Sequence, residues 1–181
     1  MSTTVHAQES IEDLLQSSLD KIFTEHPETT GLLAHVEAPE LGMSWSGASG
    51  YADKETQQVL EADQPVLIAS SIKTYVSATI LRLVEEGKLT VDTPIRALLT
   101  DKTRKLFEQD GYDLSAIQIK HLLSHTSGIE DYANQEYIDH KSENPSYRWK
   151  RDEQLKRTVN VGQRLGNPGE VIHYADAKYL M

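Results

Sequence analysis

Ile11, Leu14, Leu15, Leu19, Ile22 and Phe23 recur at three- and four-residue intervals. Residues 9–25 are therefore predicted to form an amphipathic helix, with Pro27 just beyond its end. The stretches Thr30–Val36 and Met43–Ala48 flank a turn-forming Pro39–Gly42 segment and read as two strands. Residues 49–65 are polar and loop-like. Residues 70–86 carry the strongest helical pattern, a stripe of Ile72, Val76, Ile80, Leu83 and Val84 widened by Ala69, Ala78 and Leu81. That width predicts a helix buried on most sides, ended by Gly87. A further helix is expected over 115–124, closed by Ser127-Gly128. Residues 130–166 are charged and polar, with helical pieces around 152–159, and Asn167-Pro168-Gly169 marks a turn. Strands come first and helices follow, without strand–helix alternation or internal repeat, so the fold class is α+β.

Composition narrows the function classes. The 181 residues, 38% hydrophobic and 25% charged, suffice for one domain with a sizeable core and exclude a disordered tail or a fibrous repeat. No apolar run approaches the ~20 residues of a membrane-spanning helix. The net charge of −10 opposes phosphate backbones, so no nucleic-acid partner is expected. The absence of cysteine excludes disulfides, thiolate zinc sites and cysteine nucleophiles. MSTTVHAQES has neither the basic start nor the apolar core of a secretory signal. Val5-His6-Ala7 faintly resembles a cleavage site, so the expectation is a cytoplasmic chain or one whose leader has been removed.

The candidate chemistry lies at Ser70-Ser71-Ile72-Lys73, where the strand-like Val66–Ala69 stretch meets the apolar helix. Three residues along a helix, Lys73 lies over the same face as Ser70. A serine hydroxyl is a weak nucleophile and needs a nearby base. A lysine serves as that base only when neutral, and burial at a helix N-terminus pushes its pKa down. Backbone N–H groups at the same helix end can hold a developing oxyanion. Ser18-Leu19-Asp20-Lys21 has the same spacing but lies within the first helix, away from any helix start. The bland alternative for Ser-x-x-Lys is a capping serine followed by a solvated lysine. A lysine one turn into a mostly apolar helix argues against that reading for Lys73.

Three ordered segments carry a family resemblance: VLIASSIKTYVSATILRLVEEGKLTVDTPI, IKHLLSHTSGI and PGEVIHYADAKYLM. Together they resemble the penicillin-recognising serine hydrolases, which include class C β-lactamases, D-alanyl-D-alanine carboxypeptidases and related esterases. The resemblance implies a β-lactamase-like fold, an antiparallel sheet flanked by helices plus a helical lobe. It also implies catalysis by Ser70 and Lys73 through an acyl-enzyme, with no metal or cofactor, on a small-molecule or peptide substrate. The family adds a Tyr-x-Asn motif. Tyr51-Ala52-Asp53, Tyr132-Ala133-Asn134, Tyr137-Ile138-Asp139 and Tyr174-Ala175-Asp176 all resemble it. Only Tyr174 follows a Pro-Gly turn, Pro168-Gly169, so the resemblance assigns proton relay to Tyr174 and a lysine- or substrate-binding role to Asp176. Asp176 departs from the usual Asn. A carboxylate there holds Lys73 protonated, which weakens it as a base and either shifts base duty towards Tyr174 or signals a different substrate.

The family's third motif, Lys-Thr-Gly or His-x-Gly, has no counterpart, because no Lys-x-Gly or His-x-Gly occurs in the chain. The resemblance thus covers nearly all of residues 1–181 but only the first half of the family's domain. Residues 1–65 correspond to the N-terminal helix and two strands, and residues 66–181 to the nucleophile helix and helical lobe. The C-terminal strands are expected to be absent, with a missing second half or a second chain as partner. A non-catalytic binding or assembly module is the rival expectation. His121 and His125 have metal-ligand spacing, but no third ligand is suggested, and structural roles are expected. Trp45 is expected to pack in a strand, and Trp149 to lie on a partly solvated helix face or a substrate rim.

Overall fold

A computed structural model of the chain describes residues 10–181. Glu9 and the Val5-His6-Ala7 stretch lie outside the described residues. The chain divides into two compact units, the first ending at Leu67 and the second spanning Ile68–Met181. Among the described residues no helix is long and apolar enough to cross a membrane.

The first unit opens with α1 (Ile11–Glu25). Its start is fixed by Ser10, whose hydroxyl accepts from the Asp13 N–H while the Asp13 carboxylate accepts from the Ser10 N–H. This reciprocal cap satisfies two otherwise orphaned donors. Strands β1 (Gly31–Ala38) and β2 (Met43–Asp53) pair antiparallel, from Gly31 opposite Gly50 to Ala38 opposite Met43. Gly42, at φ +62°, turns the chain between them. The sheet order is β1-β2-β3, with β3 (Gln58–Val59) on the far side of β2. Residues 49–65 are therefore not simply a loop: β2 continues through Tyr51, and Asp53 caps the tight turn by accepting from the Glu55 and Thr56 N–H groups. Trp45 lies in β2, as expected, and its ring covers the space above Gly47. Leu19 is the buried anchor of α1, and Gln16 reaches the Ala48 carbonyl at 3.0 Å.

In the second unit, helix α2 (Ile72–Glu85) occupies the expected span but not the expected environment. None of its residues is fully buried, and Ile72, Tyr75 and Leu81 are about half exposed. Its inner face, with Val76 and Ile80, lines an apolar cavity shared with Leu89, Leu122, Leu123 and Tyr179. The Val66–Ala69 stretch is not a strand either. Leu67 is fully exposed, and among the described residues no strand pairs with this stretch.

The core sits among the later helices: α3 (Asp101–Gln109), α4 (Ile119–Leu123), α5 (Gln135–Glu143) and α6 (Arg151–Val161). Phe107, Ile95, Leu114, Ile117, Ile129 and Leu155 are almost wholly buried there. Helices α3 and α5 escape the periodicity because each is short and carries few apolar residues. Their starts are set by Thr100 and Asn134, whose side-chain oxygens accept from the Thr103 and Tyr137 N–H groups. Helix α4 is half the expected length. Asp113 draws Ser115 and Ala116 into a turn, and Ile117 and Gln118 are extended against Pro94 and Ile95. The Ile95 N–H donates to the Ile117 carbonyl at 2.9 Å, a tertiary pairing that displaces the first turns of the expected helix. The helix ends before Ser127-Gly128, because His125 already adopts a left-handed conformation at φ +58°. Trp149 precedes α6 rather than riding on a helix face, and packs in an aromatic cluster with Tyr137, His140 and Tyr147.

Candidate active site

Ser70 sits in a short 3-10 turn, Ala69–Ser71, that leads directly into α2. Ala69 adopts φ +44°, a region a residue with a Cβ rarely enters. The turn is closed by the Ser71 N–H donating to the Ile68 carbonyl at 3.0 Å. One turn on, the Lys73 ammonium donates to Ser70 Oγ at 3.2 Å, as the three-residue spacing requires. The second Ser-x-x-Lys is inert by comparison. The Ser18 hydroxyl donates back to the Leu14 carbonyl within α1, and the well-exposed Lys21 faces Glu25.

The segment after Pro168-Gly169 supplies the other two sequence-predicted residues. The Tyr174 hydroxyl donates to Ser70 Oγ at 2.8 Å. Asp176 accepts from Lys73 Nζ at 2.5 Å, in an ion pair whose lysine side chain is only 12% exposed. The ammonium also faces the rings of Tyr174 and Tyr179, at 5.0 and 5.7 Å from their centroids. Ser70, Lys73, Tyr174 and Asp176 thus form one connected cluster. The other Tyr-x-Asn/Asp tyrosines lie elsewhere: Tyr51 in β2, Tyr137 in the aromatic cluster, and Tyr132 in the core. Burial, with the nearby Asp176 charge, pushes the Tyr132 phenol far above its ordinary range.

Lys73 is not tuned as a free base. Burial, the largest single influence, pulls its pKa down, but the hydrogen bonds and charge of Asp176 and Tyr174 together hold it above the ordinary 10.5. Lys73 is therefore an ammonium at neutral pH, as the substitution of Asp for Asn in the tripeptide implies. The Asp176 carboxylate is committed to that ion pair.

Several residues that shape the cluster were not singled out by sequence reasoning. The Asp131 carboxylate accepts from the Asp176 and Ala177 N–H groups at 3.1 and 3.3 Å, which fixes the start of the 3-10 turn Asp176–Tyr179. Lys178 is buried and donates to the His125 carbonyl at 3.1 Å and to the His173 carbonyl. Burial pushes its pKa down to about 8, against the pull of Asp131 and Glu130. Tyr179 donates to the Leu123 carbonyl at 3.2 Å and meets Ser77 Oγ of α2 at 3.0 Å. His121 and His125 do not share a metal-binding face. His121 Nδ1 accepts from the Gln118 N–H at the start of α4, whereas His125 lies beyond that helix against Tyr174. Among the described residues no group of three or more His, Asp or Glu side chains could hold a metal ion.

An antiparallel sheet, a helical lobe and a Ser-x-x-Lys serine met by a tyrosine define a β-lactamase-like class of protein. The Beta-lactamase family model matches residues 19–181, so the chain belongs to that family and, through it, to the serine hydrolase superfamily. The chain is 37% identical over 117 residues to esterase EstB of Burkholderia gladioli, covering 64% of this chain and 29% of that protein. It is 31% identical over 88 residues to the human mitochondrial serine beta-lactamase-like protein LACTB, covering 49% of this chain and 16% of that protein. The D-amino acid amidase of Ochrobactrum anthropi SV3 superposes with a TM-score of 0.69 at 20% identity, over 92% of this chain and 43% of that one. A penicillin binding protein of Bacillus halodurans gives a TM-score of 0.65 at 25% identity, over 90% of this chain and 47% of that one. The chain thus spans less than a third of these curated relatives and less than half of these solved structures.

Proposed function

We propose that this protein is a serine hydrolase that opens amide, β-lactam or ester carbonyls through an acyl-enzyme on Ser70. The observation that carries this reading is the convergence of Lys73 Nζ and the Tyr174 hydroxyl on one Ser70 oxygen, at 3.2 and 2.8 Å. For attack, the Ser70 proton must leave as Oγ bonds the carbonyl carbon. Lys73 is already protonated, so the group within reach that can take the proton is the Tyr174 oxygen, as the phenol passes its own proton on to the leaving group. The Lys73 ammonium offsets negative charge developing on the Ser70 and Tyr174 oxygens, and Asp176 keeps that ammonium in place. Water then releases the acyl chain, and a proton returns to Ser70 as the acyl–oxygen bond breaks. Ser70 stands at the start of α2, where first-turn N–H groups lack intrahelical acceptors and suit a developing oxyanion.

The names of the relatives, an esterase and a D-amino acid amidase among them, support a small ester or amide substrate. The test is labelling with a fluorophosphonate or a fluorescent penicillin. Wild-type protein should take the label on Ser70, and Ser70→Ala should not. Equal labelling of both would overturn the reading and leave the non-catalytic binding module in its place.

A further inference from the structure

We propose that His125 is a positioning residue that holds the Tyr174 phenol against Ser70. The inference rests on the serine hydrolase reading above and extends it to a residue outside the Ser70–Lys73–Tyr174–Asp176 cluster. The His125 ring stacks on the Tyr174 ring at 4.5 Å between centroids and 29° between planes. Its Nδ1 accepts from the Ala175 N–H at 3.3 Å, which fixes the backbone immediately after the tyrosine. Its carbonyl accepts from the His173 N–H at 2.9 Å, which fixes the backbone immediately before. Tyr174 is thus held on both sides in sequence and on one face of its ring by a single residue. Tyr174 is itself 53% exposed; besides His125, its hydroxyl meets Ser70 Oγ and its ring faces the Lys73 ammonium.

The backbone of His125 is held with equal care. Its φ of +58° is unusual for a residue with a Cβ, though histidine tolerates it better than most. Lys178 Nζ donates to the same carbonyl that His173 uses. A misplacement of about 1 Å at a reacting group can cost about a hundredfold in rate. The strain at His125 is consistent with a position that geometry, rather than stability, dictates.

Because Nδ1 accepts a hydrogen bond, His125 acts as the neutral imidazole protonated on Nε2. Burial and the positive charges of Lys178 and Lys73 lower its pKa below the ordinary 6.5, while Asp176 and Asp131 pull the other way. The phenols of Tyr174 and Tyr179 also pack against its ring. Protonation at acid pH makes Nδ1 a donor, breaks the contact with the Ala175 N–H and releases Tyr174.

The experiment compares wild type, His125→Asn and His125→Phe by Ser70 acylation rate with a fluorophosphonate across pH, alongside thermal unfolding. Asn tolerates the left-handed backbone but has no ring. His125→Asn should acylate about a hundredfold more slowly, melt close to wild type and lose the acid limb of the profile. His125→Phe keeps a ring beside Tyr174 without the acceptor. It should be intermediate in rate and also lack the acid limb. Wild-type rates in His125→Asn, or an unchanged acid limb in both variants, would overturn the proposal. A second readout is independent of turnover: the side-chain ¹³Cζ resonance of Tyr174, assigned with Tyr174→Phe. It should report the titration of His125 on the acid side of the ordinary 6.5, and His125→Asn should abolish that step. A resonance indifferent to His125 overturns the proposal. If wild type takes no label on Ser70, the hydrolase reading fails and the resonance alone decides the role of His125.

Discussion

Asp176→Asn restores the residue usual in the penicillin-recognising hydrolases and removes the anion that holds Lys73 protonated. The ion pair is short, 2.5 Å, with Lys73 12% exposed and Asp176 37% exposed. A hydrogen bond to a charged group contributes ~1.5–3 kcal/mol when well shielded. Solvent at the Asp176 side reduces that to about 1–2 kcal/mol. With the anion gone, burial still acts on Lys73 while Tyr174 alone opposes it, so its pKa should fall and the neutral amine should become more accessible 3.2 Å from Ser70 Oγ. On the proposed mechanism, base duty should then be shared between Lys73 and Tyr174. In the wild-type background Tyr174→Phe should slow acylation by roughly 10²–10⁴-fold, the usual worth of a positioned acid–base group. In the Asp176→Asn background the same change should cost less, by roughly 5–30-fold, which is 1–2 kcal/mol expressed as a rate. The assay is the second-order rate of Ser70 labelling by a fluorophosphonate in the four proteins of the double-mutant cycle. An identical Tyr174→Phe penalty in both backgrounds would refute the idea that Asp176 dictates which group takes the proton. The linked stability effect has a fixed sign. A lysine whose folded pKa is raised contributes stability that is present below 10.5 and lost as pH climbs through the raised value. Asp176→Asn should remove that alkaline loss.

Lys178 gives the opposite slope. Its folded pKa of about 8 lies below the ordinary 10.5, so the folded chain binds fewer protons than the unfolded chain between those values, and stability should rise with pH by roughly 3 kcal/mol. Urea unfolding at several pH values should show this rise in wild type, and Lys178→Met should flatten it. Gly128 has φ +75°, and an added Cβ would stand 2.3 Å from the Gly166 carbonyl oxygen. Gly128→Ala should therefore cost about 1–3 kcal/mol from the backbone alone, with the clash in addition. A melting temperature equal to wild type would show that this approach of the two loops is not required.

Elements whose signals are local were legible in the chain. Helix α1 and strands β1 and β2 follow from periodicities of 3.6 and 2, and the turn between the strands follows from Pro39 and Gly42. The α2 span follows from its apolar stripe, but its partial exposure does not, because a stripe records which side chains share a face and not how much surface arrives to cover them. Helix α4 shows the limit from the other side. A helical pattern over residues 115–124 loses its first turns to pairing with Pro94 and Ile95, which lie more than a turn of chain away in sequence. Helices α3 and α5 start at side-chain caps, a signal carried by single residues rather than by a repeat.

The site divides along the same line. That Lys73 reaches Ser70 follows from three residues of helical chain, and no tertiary fact is needed for it. Tyr174 stands 104 positions from Ser70, and Asp176 stands 103 from Lys73. No local spacing relates them, and it was the ordered family motifs, not physical pattern, that paired them in the sequence. The roles of His125, Asp131 and Lys178 were decided by the tertiary structure alone. A four-residue interval groups His125 with His121, but the chain leaves the helix between them. Its ring thereby meets Tyr174, and the carboxylate of Asp131 meets the backbone of Asp176. Sequence spacing fixes which groups share a turn of helix. What packs against that turn depends on where distant segments cross, and those crossings are set by burial of the Phe107–Ile129–Leu155 core as a whole.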